Sequence, residues 1–297
     1  MNSVKVVEVG PRDGFQSIKE IIPTDIKIRV IDKIVEAGVK KIQVTSFVSP
    51  KAIPQMSDAA EVAKASIERH PEVEFFALVP NLRGAQNACT AGLKEISTVL
   101  SLSESHNKAN VGCSVSESVE RMRNIINEFP QMKISQDIAT SFGCPFEGKK
   151  EIPPLLKLIE RLKNIGFNEF TLCDTIGIAH PSQVETTMRA VKDEFPDAVF
   201  NVHIHDTRNM GMLNSYIAAQ AGASAIQAAL GGLGGCPFVP GASGNTSSED
   251  LVNMLNSEGV DTGIDTEKLV EAARFMKKYV DGNYSGHLIN VRGNQCS

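Results

Sequence analysis

The chain has 297 residues, 42% of them apolar, and a formal net charge of −5. An apolar share of that size can bury a large core, and α/β barrels of this length often form one domain, so a single domain over residues 1–297 is expected. An acidic balance without an extended Lys/Arg cluster argues against nucleic-acid and anionic-membrane partners and leaves a small-molecule substrate.

In chain order, strand-like runs fall at Val4–Val9, Lys41–Thr45, Val73–Val79, Glu95–Leu100, Lys133–Ala139, Glu169–Asp174, Ala198–His203 and Ser224–Ala229. Helical patterns lie between them at Asp25–Glu36, Ser57–Arg69, Asn81–Ala91, Ser114–Asn127, Pro153–Asn164, Pro181–Glu194, Asn209–Ala221 and Ser248–Leu255. Four helix ends share one shape, at Ala37-Gly38, Ala91-Gly92, Ile165-Gly166 and Ala221-Gly222, where a glycine able to cap a helix precedes the next strand. Eight β-α units favour closure into a (β/α)8 TIM barrel over about 1–262, with an extra helical segment at Asp265–Val280 inside 263–297. No GxGxxG follows the first strand, which weakens a dinucleotide-binding reading.

The start of the chain runs into a strand without a signal-peptide pattern, and no stretch reaches the roughly 18 apolar residues of a membrane span, so the expected location is cytoplasmic. The cysteines at 89, 113, 144, 173, 236 and 296 form no CxxC pair and read as neither disulfide framework nor zinc site. Cys144 and Cys173 fit small apolar positions near strand ends, whereas Cys236 stands among glycines in a loop.

Within Asn201-Val202-His203-Ile204-His205-Asp206 the two histidines share one strand face. They fit half of a metal site as well as they fit a hydrogen-bonded pair in a polar barrel mouth. In a TIM barrel the site is built at the carboxyl ends of the strands. Those ends carry Asp13, both histidines and Asn245 together, although alone Asp13 reads as a turn aspartate and Asn245 as a helix-flanking amide. Glu249 reads as a helix-start carboxylate favoured by the dipole.

The runs Gly10-Pro11-Arg12-Asp13-Gly14-Phe15-Gln16, Thr45-Ser46-Phe47-Val48-Ser49-Pro50-Lys51, Gly143-Cys144-Pro145-Phe146-Glu147-Gly148, His203-Ile204-His205-Asp206 and Gly234-Gly235-Cys236-Pro237 with Gly244-Asn245 resemble 3-hydroxy-3-methylglutaryl-CoA lyase. That family shares its metal-dependent barrel superfamily with isopropylmalate and homocitrate synthases. The resemblance implies Mg²⁺ or Mn²⁺ held by Asp13, His203, His205 and Asn245, a set that suits a hard, roughly octahedral ion. It implies retro-Claisen cleavage of 3-hydroxy-3-methylglutaryl-CoA to acetyl-CoA and acetoacetate, with Arg12, Asp13, His203 and Cys236 in catalytic roles. Arg12 would stabilise the thioester enolate and Cys236 would protonate it. Gln16, Gln43, Ser46, Asp174 and Thr175 would bind substrate, and a homodimer or higher homo-oligomer is expected. For Asp174 a turn-capping role stays open.

Two departures from the family pattern stand out. Gln43 replaces the usual glutamate near the end of the second strand, keeping a hydrogen bond to Arg12 but not its charge compensation. Thr207-Arg208-Asn209-Met210-Gly211 also differs from the usual Thr-Tyr-Gly-Gln-Ala. Alternatives are therefore a related lyase or Claisen-type synthase acting on another 3-hydroxyacyl-CoA or a 2-oxo acid, or a catalytically weakened barrel kept for binding.

Overall fold

The structure, a computed structural model, describes residues 2–235 and 244–291. Eight parallel strands close into a barrel: β1 (Lys5–Glu8), β2 (Lys41–Ser46), β3 (Glu74–Leu78), β4 (Glu95–Ser101), β5 (Lys133–Ala139), β8 (Glu169–Asp174), β9 (Val199–Ile204) and β10 (Ala225–Ala228). The remaining pair, β6 (Gly143–Cys144) and β7 (Gly148–Lys149), is a small antiparallel hairpin in the loop after β5. The expected strands and TIM-barrel class are thus found, with ends shifted by a residue or two.

The physical reason for closure lies in burial on both strand faces. Ile42, Ile96, Ile138, Phe170, Leu172, Phe200 and Val202 are fully buried on the face under the helices, where the Phe170 and Phe200 rings stack at 5.6 Å. Val7, Val9, Phe76, Ala225 and Ala229 pack together inside the barrel. The helices α1 (Thr24–Glu36), α2 (Ala59–Arg69), α3 (Leu82–Thr90), α5 (Val115–Glu128), α6 (Ile152–Lys163), α7 (Pro181–Glu194), α8 (Gly211–Gln220) and α9 (Ser248–Ser257) form the outer ring, and α10 (Thr266–Tyr279) packs on α1. Their starts are set by local chemistry, most fully at α5, where Ser114 and Glu117 form a capping box. The four joint glycines have φ of 101°, 93°, 114° and 95° at Gly38, Gly92, Gly166 and Gly222, the left-handed region that only glycine enters cheaply.

Helix α4 (Glu104–Val111) was not expected from the sequence. It carries almost no apolar stripe and is held by polar contacts instead: Ser103 caps it, and buried Asn107 accepts from Ser101 N at 2.9 Å and donates to Cys113 O at 2.8 Å.

The amino-terminal end of the barrel is filled by paired lysine and glutamate side chains. Lys41 bonds Glu95, and Lys133 bonds Glu169 at 3.1 Å. A cavity of about 300 Å³ beside them is lined by Lys5, Phe76, Asn201 and Gln227 among others. It lies at the end opposite the strand termini that carry chemistry in this fold, and its lysines pair with glutamates, so it reads as the structural floor of the barrel.

Candidate active site

After β1 the chain makes a single wide helical turn, Gly10–Gly14, in which Arg12 N and Asp13 N both donate to Val9 O, at 3.0 and 2.7 Å. This turn lifts both side chains onto the carboxyl rim. Glu8 fixes it from below, accepting from Gly10 N at 2.6 Å, Leu230 N at 2.9 Å and Ser248 Oγ at 2.6 Å. One buried carboxylate thereby ties the β1 loop, the β10 loop and the start of α9.

Asp13, His203 and His205 converge, with one donor atom from each lying within 4.8 Å of the others. His203 Nε2 is 3.0 Å from His205 Nε2 and 3.9 Å from Asp13 Oδ2. Cis ligands of an octahedral ion with bonds of about 2.1 Å stand about 3.0 Å apart, so the imidazole spacing fits a hard divalent ion. Burial lowers both imidazole pKa values, His203 to about 3, keeping the pair neutral as metal ligands must be. Burial alone would raise Asp13, but Arg12 and then the histidines hold it well below the usual carboxylate range.

Gln227 Oε1 accepts from His203 Nδ1 at 3.1 Å, which leaves Nε2 as the lone pair facing the cluster. His205 Nδ1 and Asn245 Oδ1 are buried with no hydrogen-bond partner. Asn245 Nδ2 donates to Asp13 Oδ2 at 2.7 Å and to Leu233 O at 3.0 Å, so Oδ1 is its uncommitted acceptor. An orphaned buried oxygen beside a carboxylate and two neutral imidazoles is a donor set that a cation would complete.

Glycines make room for this amide. A Cβ on Gly234 would strike Asn245 Nδ2, and one on Gly244, at φ 95°, would come within 2.7 Å of the Gly234 backbone. Gly234→Ala should therefore displace Asn245 and weaken Mn²⁺ binding about 10- to 100-fold, measured by titration calorimetry, with an unchanged circular dichroism spectrum. Wild-type affinity in that variant would remove Asn245 from the ligand set.

Arg12 is buried and doubly held, by Gln43 Oε1 at 2.5 Å from Nε and by Asp13 Oδ1 at 2.5 Å from Nη1. Gln43 does keep the bond to Arg12 expected of it, and passes its own amide proton to Ser97 Oγ at 2.9 Å.

The other expected site residues divide. Ser46 Oγ and Gln16 Oε1 are buried without partners near the rim. Asp174 is fully buried, and its oxygens accept from Ile178 N at 3.1 Å and Ala179 N at 3.0 Å, the bonds of a turn cap. Thr175 Oγ1 accepts from Thr140 N at 2.8 Å, joining the β5 and β8 loops. Asp206 turns away from the histidines to accept from Gly211 N at 2.6 Å, at the start of α8. Next to it, Arg208 reaches Gly177 O at 3.0 Å and so ties the β9 loop to the β8 loop. Cys236 lies outside the described residues, as does Cys296.

Gln227, Glu8 and Ser97 support the site without having been expected. For Gln227 and Ser97 the signal was a polar residue at an inward strand position, legible only once strand phase is known, whereas Glu8 lies on the outward face of β1, paired with Ile42. Glu249 is more than a helix-start charge: it is fully buried, and its Oε2 accepts from Gly231 N at 2.8 Å, anchoring the glycine loop after β10.

Burial raises Glu249 to about 7, against the Gly231 hydrogen bond that lowers it. A carboxyl with a raised folded pKa binds its proton more tightly when folded, so the stability it contributes is present at low pH and is lost as pH rises through about 7. The lowered imidazoles act in the opposite sense at lower pH, so the clean readout is a difference. The melting temperature of wild type relative to Glu249→Gln should fall by several degrees between about pH 5 and about pH 8. A pH-independent difference would contradict the buried acid.

Comparison with known proteins agrees with this geometry. The HMGL-like family model matches residues 3–276. The chain is 42% identical over 280 residues to the cytoplasmic 3-hydroxy-3-methylglutaryl-CoA lyase of Rattus norvegicus, covering 94% of this chain and 81% of that protein. It is 42% identical over 275 residues to the mitochondrial hydroxymethylglutaryl-CoA lyase of Gallus gallus, covering 92% of each. An HMG-CoA lyase from Acinetobacter baumannii, solved with coenzyme A and 3-methylmalate, superposes with a TM-score of 0.93 at 38% identity, covering 100% of this chain and 97% of that one. The Bacillus subtilis HMG-CoA lyase gives a TM-score of 0.92 at 39% identity and 97% coverage of both. With a matching family model along almost its whole length, and relatives this close, the chain belongs to the HMGL-like family, that of the hydroxymethylglutaryl-CoA lyases.

Proposed function

We propose that this protein is a divalent-cation-dependent carbon–carbon lyase that cleaves 3-hydroxy-3-methylglutaryl-CoA to acetyl-CoA and acetoacetate. The observation that carries the reading is the convergence of Asp13, His203 and His205 beside a buried arginine at the carboxyl rim of the barrel. Mg²⁺ or Mn²⁺, held by these three and by Asn245 Oδ1, would supply Lewis acidity toward the substrate's hydroxyl and carboxylate oxygens.

The protein's own groups then divide the proton and charge work. The hydroxyl proton leaves, its bonding pair becomes the new ketone, and the broken C–C pair passes to the thioester as an enolate that takes a proton at carbon. Ionised Asp13 keeps carboxylate lone pairs free and is the proton acceptor for the hydroxyl, whereas neutral His203, with Nδ1–H on Gln227 and Nε2 toward the cation, would hold the site in place. Arg12 commits Nε to Gln43 and Nη1 to Asp13, so among the described residues Nη2 is left for the enolate oxygen. Cys236, which follows the glycines at 231, 232, 234 and 235 in sequence, is our candidate for the acid that returns the proton.

Gln16 and Ser46, with uncommitted oxygens, are the better candidates for substrate contact, whereas the bonds of Asp174 and Thr175 favour shaping the rim. No helix among the described residues is long and apolar enough to cross a membrane, and relatives carry both cytoplasmic and mitochondrial names; a cytoplasmic homo-oligomer is our reading. The test of substrate is an assay of purified protein with Mn²⁺ against a panel of 3-hydroxyacyl-CoA thioesters, with mass detection of products. The highest kcat/KM should fall on 3-hydroxy-3-methylglutaryl-CoA. Preference for a longer 3-alkyl homologue, or for condensation with a 2-oxo acid, would move the protein to a sister activity.

A further inference from the structure

Below the rim, inward side chains reach across the barrel interior, Gln43 of β2 to Ser97 of β4 and Gln227 of β10 to Thr171 of β8, and form a second polar layer. It runs from Arg12 Nε to Gln43 Oε1 at 2.5 Å, and from Gln43 Nε2 to Ser97 Oγ at 2.9 Å. On the other side His203 Nδ1 bonds Gln227 Oε1 at 3.1 Å, and Gln227 Nε2 reaches Thr171 Oγ1 at 3.4 Å. Between the two arms stands Asp137, opposite Thr171 in the β5–β8 register and 5% exposed.

Ser97 and Thr171 each accept from an amide, which leaves their hydroxyl protons for the Asp137 carboxylate, and both stabilise its charged form. Asp137 Oδ1 has no hydrogen-bond partner. Among Gln43, Ser97, Asp137, Thr171 and Gln227, Asp137 is the sole carboxylate. Gln43, the direct partner of Arg12, is neutral. Asp13 also pairs with Arg12, but a carboxylate that ligates a cation shares its charge with that cation. A buried guanidinium then needs another anion nearby.

We propose that Asp137 is the buried counter-charge of Arg12, acting through the Ser97–Gln43 chain to position the guanidinium. Arg12 in turn lowers Asp137, whose burial pushes it up to about 6. Asp137 is thus a positioning residue and does not itself touch the reacting atoms. Its kinetic consequence rests on the lyase reading; its electrostatic one does not.

The test pairs two readouts. Asp137→Asn should lower kcat on 3-hydroxy-3-methylglutaryl-CoA about 10-fold or more, with KM and Mn²⁺ affinity within about twofold of wild type. Gln43→Glu in that background should recover about fivefold or more by returning a carboxylate to the chain, whereas Gln43→Glu alone should lower kcat by adding a second buried anion. In the cation-free protein, Arg12→Gln and Asp137→Asn should be non-additive in urea midpoint, the double variant losing less than the two singles combined.

An unchanged kcat in Asp137→Asn, failure of Gln43→Glu to recover it, or an additive cycle overturns the proposal. If wild type does not cleave the thioester, the lyase reading fails and the urea cycle alone decides Asp137. If Asp137→Asn does not fold, Ser97→Ala, which cuts the chain between Gln43 and Asp137, takes its place: a fall in kcat of about fivefold or more is expected, and no fall overturns the proposal.

Discussion

Replacing His205 with alanine will strip the bound divalent ion and reduce kcat about 1,000-fold or more, while the barrel stays folded. The ion supplies several kcal/mol of charge stabilisation to a reaction of this type, and each 1.4 kcal/mol is about tenfold in rate. His205 Nε2 lies 3.0 Å from His203 Nε2, so its loss removes one of three converging donors and leaves an opening that water fills. Stability should change little, because His205 lies just past the end of β9 and its backbone ties to Asp174 O and Asn245 are kept in alanine. Elemental analysis after dialysis, with circular dichroism as a fold control, reads the outcome. Equal metal content in wild type and variant would sink the ligand assignment.

The second large effect belongs to Arg12. Arg12→Lys keeps the charge but loses the fork that spans Gln43 Oε1 and Asp13 Oδ1, each at 2.5 Å. An ammonium held by one of those acceptors cannot also meet an enolate oxygen at the distance the guanidinium reaches. Losing one preorganised donor of this kind costs about 10²- to 10³-fold in kcat, and metal content should be retained. Steady-state kinetics beside elemental analysis separates this from a ligand defect. Near-normal turnover in Arg12→Lys would show that the fork is dispensable and that Arg12 acts as a point charge.

What the sequence disclosed and withheld has a physical pattern. Strand phase is a period-two signal, so the shared face of His203 and His205 could be read directly, and the joint glycines marked the end of four helices. The motifs after β1, β9 and β10 brought Arg12, Asp13 and Asn245 to one rim because a parallel barrel puts every strand terminus there. Carboxylates were harder. Asp174 and Asp206 lie at strand ends like Asp13, yet their oxygens serve backbone amides at Ile178, Ala179 and Gly211. Residue type and position alone do not distinguish a ligand from a cap. The second layer was silent for another reason: Ser97, Asp137 and Gln227 are polar residues in strands, and inward polarity looks like solvent exposure until the barrel is closed. Helix α4 escaped because periodicity needs an apolar stripe, which Glu104–Val111 lacks.

The central claim is that this metal site breaks the carbon–carbon bond of 3-hydroxy-3-methylglutaryl-CoA by releasing an enolate. It is tested most directly by running the reaction in D₂O with Mn²⁺ and weighing the products. We expect acetyl-CoA and acetoacetate in equal amounts, with one deuterium in the acetyl methyl group of acetyl-CoA at early times, and no products once the cation is chelated. Intact thioester after prolonged incubation with Mn²⁺, or cleavage that persists under chelation, would contradict the account.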